Sequence, residues 1–398
     1  MSDTIDILKL VPEAVLKPWG LRHGELLACT GIRVGVGELW LASAQTGAGN
    51  YSNAVAEPPL GRTLAQLLAE AAKQGDETLA RIIGAGALRA LRSSPHRGKT
   101  EAWHVREAAG RTGVAAGPRT PGQKAALREL IESGKLGADV ENWPRRVRDI
   151  FGLIEPLKGG EVFLVPAGTL HTMFAIGEDS RLVIDEIQQG YGNALLPTLS
   201  KILLVQDSLL SVQVHPDDET VRRAAEGELK VKQDLQANPT VRVYDFGRRP
   251  GEDRELGFKL TDVETGLRRV TPVEVSLGRS ARMTVLAASR CFVKSQLELA
   301  VGAEVVLQPA YGSYRVLHCR RGAATLRARE RTTSLAAGET ALVPAALENG
   351  LRIKAEANCL IYEDAVPDLD ALRAFLLGAG ASERAVTALL DPPRALQG

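Results

Sequence analysis

The sequence predicts a mainly β protein with an α-helical insertion, and three features carry that reading. Short runs in which polar and apolar residues alternate recur along the chain, with the period of two that marks a half-buried strand. Turn signals divide residues 271–364 at a spacing of about ten residues, which suits a jelly roll of short strands. Within residues 61–97 and 121–154 the apolar spacing changes to three and four, as in helices that bury one face.

From Leu8 to Asn53 the chain reads as β-structure broken by glycines, with strands at Leu26–Cys29 and Leu39–Ala42, and Glu38 sharing a face with Trp40. Thr63 and Gln66 form a capping box ahead of Leu64, Leu67, Leu68 and Ala71. Further helices are expected over Glu77–Leu91, weakened by Gly84 and Gly86, over Gly122–Ser133, and over Pro144–Ile154. The loop Ser93–Glu101 leads into a strand at Ala102–Val105. Arg181–Gln189 is a strand in which Glu186 shares a face with Leu182, Ile184 and Gln188, and Asn193–Pro197 links it onward. Residues 219–237 read as a charged helix and loop. Val241–Phe246 alternates, placing Arg242 with Tyr244 and Phe246. The β-rich run that follows has strands at Ala281–Ala288, Phe292–Glu298, Glu304–Gln308, Tyr314–Cys319, Gly322–Ala328, Thr340–Pro344 and Asn358–Glu363. Amphipathic helices at Asp368–Leu377 and Ser382–Leu390 close the chain, ending at Asp391-Pro392-Pro393.

A chain of 398 residues is long enough for two or three packed units. Its formal net charge of +1 supplies no field that would favour nucleic acid or a membrane surface as partner. Aromatic residues make up only 4%, which argues against a base-stacking platform. Cys29, Cys291, Cys319 and Cys359 form no CxxC pair and read as reduced thiols of a cytoplasmic protein. The N-terminus lacks a basic region followed by an apolar core, and no apolar run approaches about 18 residues, so a soluble, unprocessed protein is expected.

Chemistry concentrates in Ser211–Glu219. Ser211, Gln213 and His215 share one strand face, each about 7 Å from the next, before Pro216 and the acidic run Asp217–Glu219 end the strand. Two side chains so placed can reach one ion. The Pro/Gly turn in Val165–His171 delivers a second imidazole, and Glu101 stands two residues from Lys99. Gln213, His215, Glu101 and His171 make a mixed nitrogen and oxygen set that suits Zn²⁺, although Mn²⁺, Fe²⁺ and Co²⁺ accept the same ligands. Taken singly, each segment also reads as ordinary structure: a polar edge strand, an exposed Lys99–Glu101 pair, a salt-bridged Arg242. Glu186 is either paired at a barrel edge or a functional acid.

The strings PWG (Pro18–Gly20), GELW (Gly37–Trp40), GKTEAW (Gly98–Trp103), VPAGTLH, DEIQQ (Asp185–Gln189), LSVQVHPDDE and VRVYD (Val241–Asp245) resemble the signature segments of type I mannose-6-phosphate isomerases, zinc enzymes of the cupin superfamily. The likeness spreads from about residue 15 to residue 365. It implies two cupin-like jelly-roll units and a small helical cap. Residues 1–60, 98–120 and 155–270 would form the metal-binding catalytic unit, 61–97 and 121–154 the cap, 271–366 a second unit without metal, and 367–398 C-terminal helices. It implies one Zn²⁺ per chain on Gln213, His215, Glu101 and His171. Arg242 and Lys99 take catalytic roles in it, with Ser211, Arg248 and Lys201 holding the substrate phosphate; Glu186, singled out by its strand face, is the further catalytic candidate. The expected reaction interconverts mannose 6-phosphate and fructose 6-phosphate in a monomer or weak homodimer. One feature departs from the family: the hairpin carrying Lys201–Leu203 and Ser211–His215 follows the GKTE segment instead of preceding it. Two other functions fit a rearranged chain, a non-catalytic sugar-phosphate-binding protein that keeps the metal site and a metal-dependent oxygenase. The Gln and Glu ligands with lysine and arginine nearby fit the oxygenase poorly.

Overall fold

The structure, a computed structural model, describes residues 6–21, 35–46, 51–56, 62–93, 96–137, 141–191, 194–248 and 252–392. The strand expected at Leu26–Cys29, Cys29 itself, Asn193 and Pro393 lie outside the described residues. The protein is mainly β with helices, as predicted, and three antiparallel sheets carry it among the described residues.

Two long strands, Glu101–Ala116 and His171–Gln189, are the frame of the largest sheet. They pair from Glu101 opposite Gln188 to Ala116 opposite His171, so Glu101 and His171 stand at opposite ends of one ladder. Drawn straight, sixteen residues would span roughly 50 Å. The register shifts at Val105/Glu107 and Ala109/Arg111, and such bulges bend a strand and increase its twist. At the corner Gly110 takes φ 66, and a Cβ there would meet the Ser180 hydroxyl at 2.4 Å. That hydroxyl accepts the Arg111 N–H and donates to the Ile176 carbonyl, fixing the bend. The ladder therefore folds back on itself.

Thr198–Gln206, Val36–Ala42 and Glu13–Leu21 continue this sheet on one side, and Val162–Val165 and Arg268–Val270 on the other. Val212–Val214 joins it beside His171 and pairs in turn with Val241–Tyr244. Phe246, expected to continue that alternation, has φ 53, so the strand ends at Tyr244.

An eight-stranded sheet and a four-stranded sheet enclose a second apolar core containing Leu297, Leu317, Leu326 and Ile353. Three of their strands escaped the sequence reading: Val273–Ser276, Arg331–Ala336 and Arg352–Ala355. Leu8–Val11 and Ala54–Val55, assigned to the first unit by position, also belong to the eight-stranded sheet, where Leu8–Leu10 pair with Thr340–Leu342. Alternation marks a strand but does not name its partner.

The capping box at Thr63 and Gln66 is present and opens the helix Leu64–Gln74. The expected helix Glu77–Leu91 is two, Asp76–Ile83 and Ala85–Ser93, parted at Gly84 with φ 98. Only Trp143–Val147 of the expected Pro144–Ile154 helix forms, because Gly152–Ile154 pairs instead with Val114–Ala116. The helices also do not share one cap. Leu64, Leu68, Ile83 and Leu88 pack with Leu10, Tyr314 and Leu342, whereas Leu127, Ile131 and Trp143 pack with Phe174, Val214 and Val241. The C-terminal helices, Leu369–Gly378 and Glu383–Leu390, begin at the caps Asp368 and Ser382 and bury Leu372, Leu376, Val386 and Leu389. Cys291, Cys319 and Cys359 are free thiols, and no helix among the described residues is long and apolar enough to cross a membrane.

Between the two large sheets lies an apolar layer in which Ala102, Leu164 and Ile187 meet Leu286, Phe292 and Tyr362. Charges are sealed there too. Arg106 pairs with Asp185 and stands 4.9 Å over the Tyr362 ring, and Lys294 donates to Asp364 at 2.9 Å, both residues being buried. Removing one member of a buried pair strands the other charge, whereas removing both does not. Lys294→Met should therefore cost about 3–5 kcal/mol in urea unfolding, and Lys294→Met/Asp364→Leu much less. Equal losses in the single and double variants would show that packing, not pairing, matters here.

Candidate metal centre and its cavity

Glu101 opens one long strand and His171 the other, and the folded ladder brings them together: His171 Nε2 lies 3.8 Å from Glu101 Oε2. Gln213 is the cross-strand partner of His171. Two residues on, His215 places its Nε2 3.3 Å from Glu101 Oε1. The turn before His171 needs Gly168 at φ 84, a left-handed conformation that costs glycine little. Its N–H donates to the His215 carbonyl at 2.8 Å, tying the two histidine-bearing segments to each other.

Both ring orientations are fixed from behind. His171 Nδ1 lies 2.9 Å from the Thr169 carbonyl oxygen and His215 Nδ1 3.0 Å from that of Pro239. A carbonyl oxygen only accepts, so each ring carries its proton on Nδ1 and turns a bare Nε2 toward Glu101. Burial pushes both imidazoles below their usual range, His215 to about 3, and both stay neutral. Burial works the other way on Glu101, but the Lys99 ammonium paired with it opposes this, and the carboxyl is held well below the carboxylate range.

Two neutral imidazole nitrogens and an ionised carboxylate thus meet with their ligand atoms within 4.8 Å of one another, all three residues buried. Glu101 Oε2 and His215 Nε2 have no hydrogen-bond partner in the structure. A divalent cation would satisfy both. The Gln213 carboxamide borders the cluster with its Nε2 3.3 Å from His171 Nε2 while its oxygen accepts from the Ser211 hydroxyl at 3.3 Å; turning the amide over would present that oxygen as a further ligand. Such a set fits Zn²⁺.

Next to this cluster is a cavity whose floor is a single cross-strand row. Trp40 stands opposite Lys201, Lys201 opposite Glu186, and Glu186 opposite Trp103. Lys201 Nζ lies 3.3 Å from Glu186 Oε1. Burial and the nearby Glu101 push the Glu186 carboxyl up to about 7, against the pull of Lys201 and Lys99. Glu38 accepts from Trp40 Nε1 at 2.9 Å and from Lys17 at 3.2 Å. Burial would raise its carboxyl, but Lys201 and Lys17 bring it down to about 2. Opposite carboxylates raise Lys201 in spite of its burial. Charges of alternating sign therefore run along the wall from Lys17 to Glu101.

Lys99, Glu101, Glu186, Lys201, Ser211, Gln213 and Arg242 all line this cavity, and His171 and His215 reach Glu101 at its edge. Arg248 is not among the lining residues. It donates to the Leu209 carbonyl at 2.6 Å and to Asp245 at 2.9 Å, and lies over the Trp19 ring. Sequence reading gave no role to Lys17, Trp19, Trp103, Tyr191, Asn238 or Thr240, which complete the wall. Trp19 and Trp103 sat within the quoted PWG and GKTEAW strings, whereas nothing local marks Tyr191 or Asn238.

No protein-family profile matches this chain, and no curated protein sequence does. Among solved structures, the mannose 6-phosphate isomerase from Bacillus subtilis superimposes with a TM-score of 0.55 at 18% identity, covering 90% of this chain and 99% of that one. A mutant phosphomannose isomerase from Salmonella typhimurium does so with a TM-score of 0.51 at 11% identity, covering 91% and 99%. At these identities the likeness is one of fold: this chain adopts the fold of solved mannose 6-phosphate isomerases over nearly all of its length.

Proposed function

We propose that this chain is a metal-dependent isomerase that interconverts mannose 6-phosphate and fructose 6-phosphate. The observation that carries the proposal is the convergence of Glu101, His171 and His215 beside a cavity holding Lys99, Glu186, Lys201 and Arg242. The fold likeness supports the same reading. On this reading residues 98–120 and 155–270, with strands of the N-terminal segment, make the catalytic unit. The Lys201–His215 hairpin is then a segment moved along the chain that still fills its place in the barrel.

The reaction moves a proton between C2 and C1 of the sugar through a cis-enediol, so it needs charge stabilisation at oxygen and a proton carrier. Gln213, His215, Glu101 and His171 would hold Zn²⁺, which when bound would supply Lewis acidity for the substrate carbonyl. Arg242, across the strand pair from Gln213, offers a fixed cation to the developing enediolate. Glu186, balanced near neutrality, takes the proton and returns it at the neighbouring carbon. Lys99 is committed to Glu101 and keeps that carboxylate ionised. Ser211 and Lys201 provide a hydroxyl and an ammonium for the phosphate, and Arg248 reaches it by leaving Asp245.

Two outcomes test this reading. Chelation should abolish coupled turnover of mannose 6-phosphate and added Zn²⁺ should restore it, with His215→Ala binding the metal far more weakly. Full turnover after verified metal removal would end the proposal. A base titrating at about 7 must be deprotonated to act, so kcat/KM should fall as pH drops below about 7. Glu186→Gln should lose that acid limb and about 10²–10⁴-fold in kcat. An intact acid limb in that variant would assign the proton transfer elsewhere.

A further inference from the structure

The carbonyl that orients His215 belongs to Pro239, in the stretch leading into the Val241–Tyr244 strand. Hydrogen bonds to the residues on either side bear on the direction of that carbonyl. The Asn238 N–H donates to the Asp234 carbonyl at 3.0 Å, and the two flanking carbonyls are held by one side chain. Gln233 Nε2 donates to the Thr240 carbonyl at 2.9 Å and to the Asn238 carbonyl at 3.3 Å. In extended backbone successive carbonyls point to opposite sides. Holding residues 238 and 240 toward Gln233 therefore turns the carbonyl between them the other way, onto His215 Nδ1.

We propose that Gln233 is a positioning residue for the metal centre: by clamping the carbonyls on either side of Pro239 it aims the Pro239 carbonyl at His215 and fixes the ring with Nε2 facing Glu101. The same clamp shapes the cavity, because Asn238 and Thr240 are part of its wall. Gln236, in the same loop, contacts His96 and joins the loop to the segment that leads to Lys99 and Glu101. Partners behind a ligating histidine set its tautomer and basicity, and losing one typically weakens metal binding about 10–100-fold. The inference rests on the metal reading but not on the isomerase chemistry.

Zn²⁺ affinity of the full-length protein, measured by competition with a chromophoric chelator, tests it. Gln233→Ala should bind Zn²⁺ about 10–100-fold more weakly than the parent. Gln233→Glu, of the same size but without the amide donor, should weaken binding alike, and Lys232→Ala, at the exposed preceding residue, should not. In the metal-free protein, long-range ¹H–¹⁵N correlations should show His215 protonated on Nδ1, and a mixture of tautomers in both Gln233 variants. Unchanged affinity and an unchanged tautomer in folded variants would overturn the role of Gln233. A parent protein that binds no Zn²⁺ would instead sink the metal reading, while the tautomer comparison would still decide what Gln233 does.

Discussion

The site exists because one long hairpin does not run straight. Glu101 and His171 sit at opposite ends of the same ladder, and only the bulges near Val105 and Ala109 with the corner at Gly110 and Ser180 bring them within 3.8 Å. The folded-back sheet buries Glu101, His171 and His215 away from water, and the chemistry of the cluster follows from that burial. Imidazoles that would titrate near neutrality in water stay uncharged, and their lone pairs are kept for a cation. The bend and the chemistry are thus one arrangement.

A sealed carboxylate must in turn be met by positive charge, since an unpaired buried ion is costly. Glu101 meets this with Lys99, Glu186 with Lys201, and Glu38 with Lys17 and Trp40. The strand that carries Glu186 turns the adjacent residue, Asp185, to the opposite face, where Arg106 neutralises it against the second sheet. A single pleated strand therefore links the cavity to the packing between sheets. A shift of one residue there would exchange the two carboxylates.

Much of this was legible in the chain. Period-two runs located most strands, the Thr63–Gln66 box located a helix start to the residue, and the His171, Glu101, Gln213 and His215 segments each carried a recognisable ligand type. What the sequence withheld was mainly non-local. Leu8–Val11 alternates as a strand must, yet one of its two partners lies more than 300 residues away. The Ile150–Ile154 run has the spacing of a helix, and only the free edge of Val114–Ala116 draws Gly152–Ile154 into a sheet. Arg248 stood six residues after Arg242, as the resemblance required, but its guanidinium is taken up by Asp245 and the Leu209 carbonyl. Tyr191, Asn238 and Thr240 reach the cavity through loops whose path no periodicity records.

The pairing of Leu8–Leu10 with Thr340–Leu342 bears on how the molecule is made. Of the two neighbours of Leu8–Val11, Ala54–Val55 is close by in the chain, but Thr340–Leu342 is more than 300 residues on, and contacts of such sequence separation form slowly. Until that distant strand arrives, the side that takes Thr340–Leu342 is an unpaired edge, open to any other strand nearby. Because the next strand, Glu13–Leu21, belongs to the other sheet, that late closure also buckles the two halves together. That closure is the stitch that makes two sheets one body.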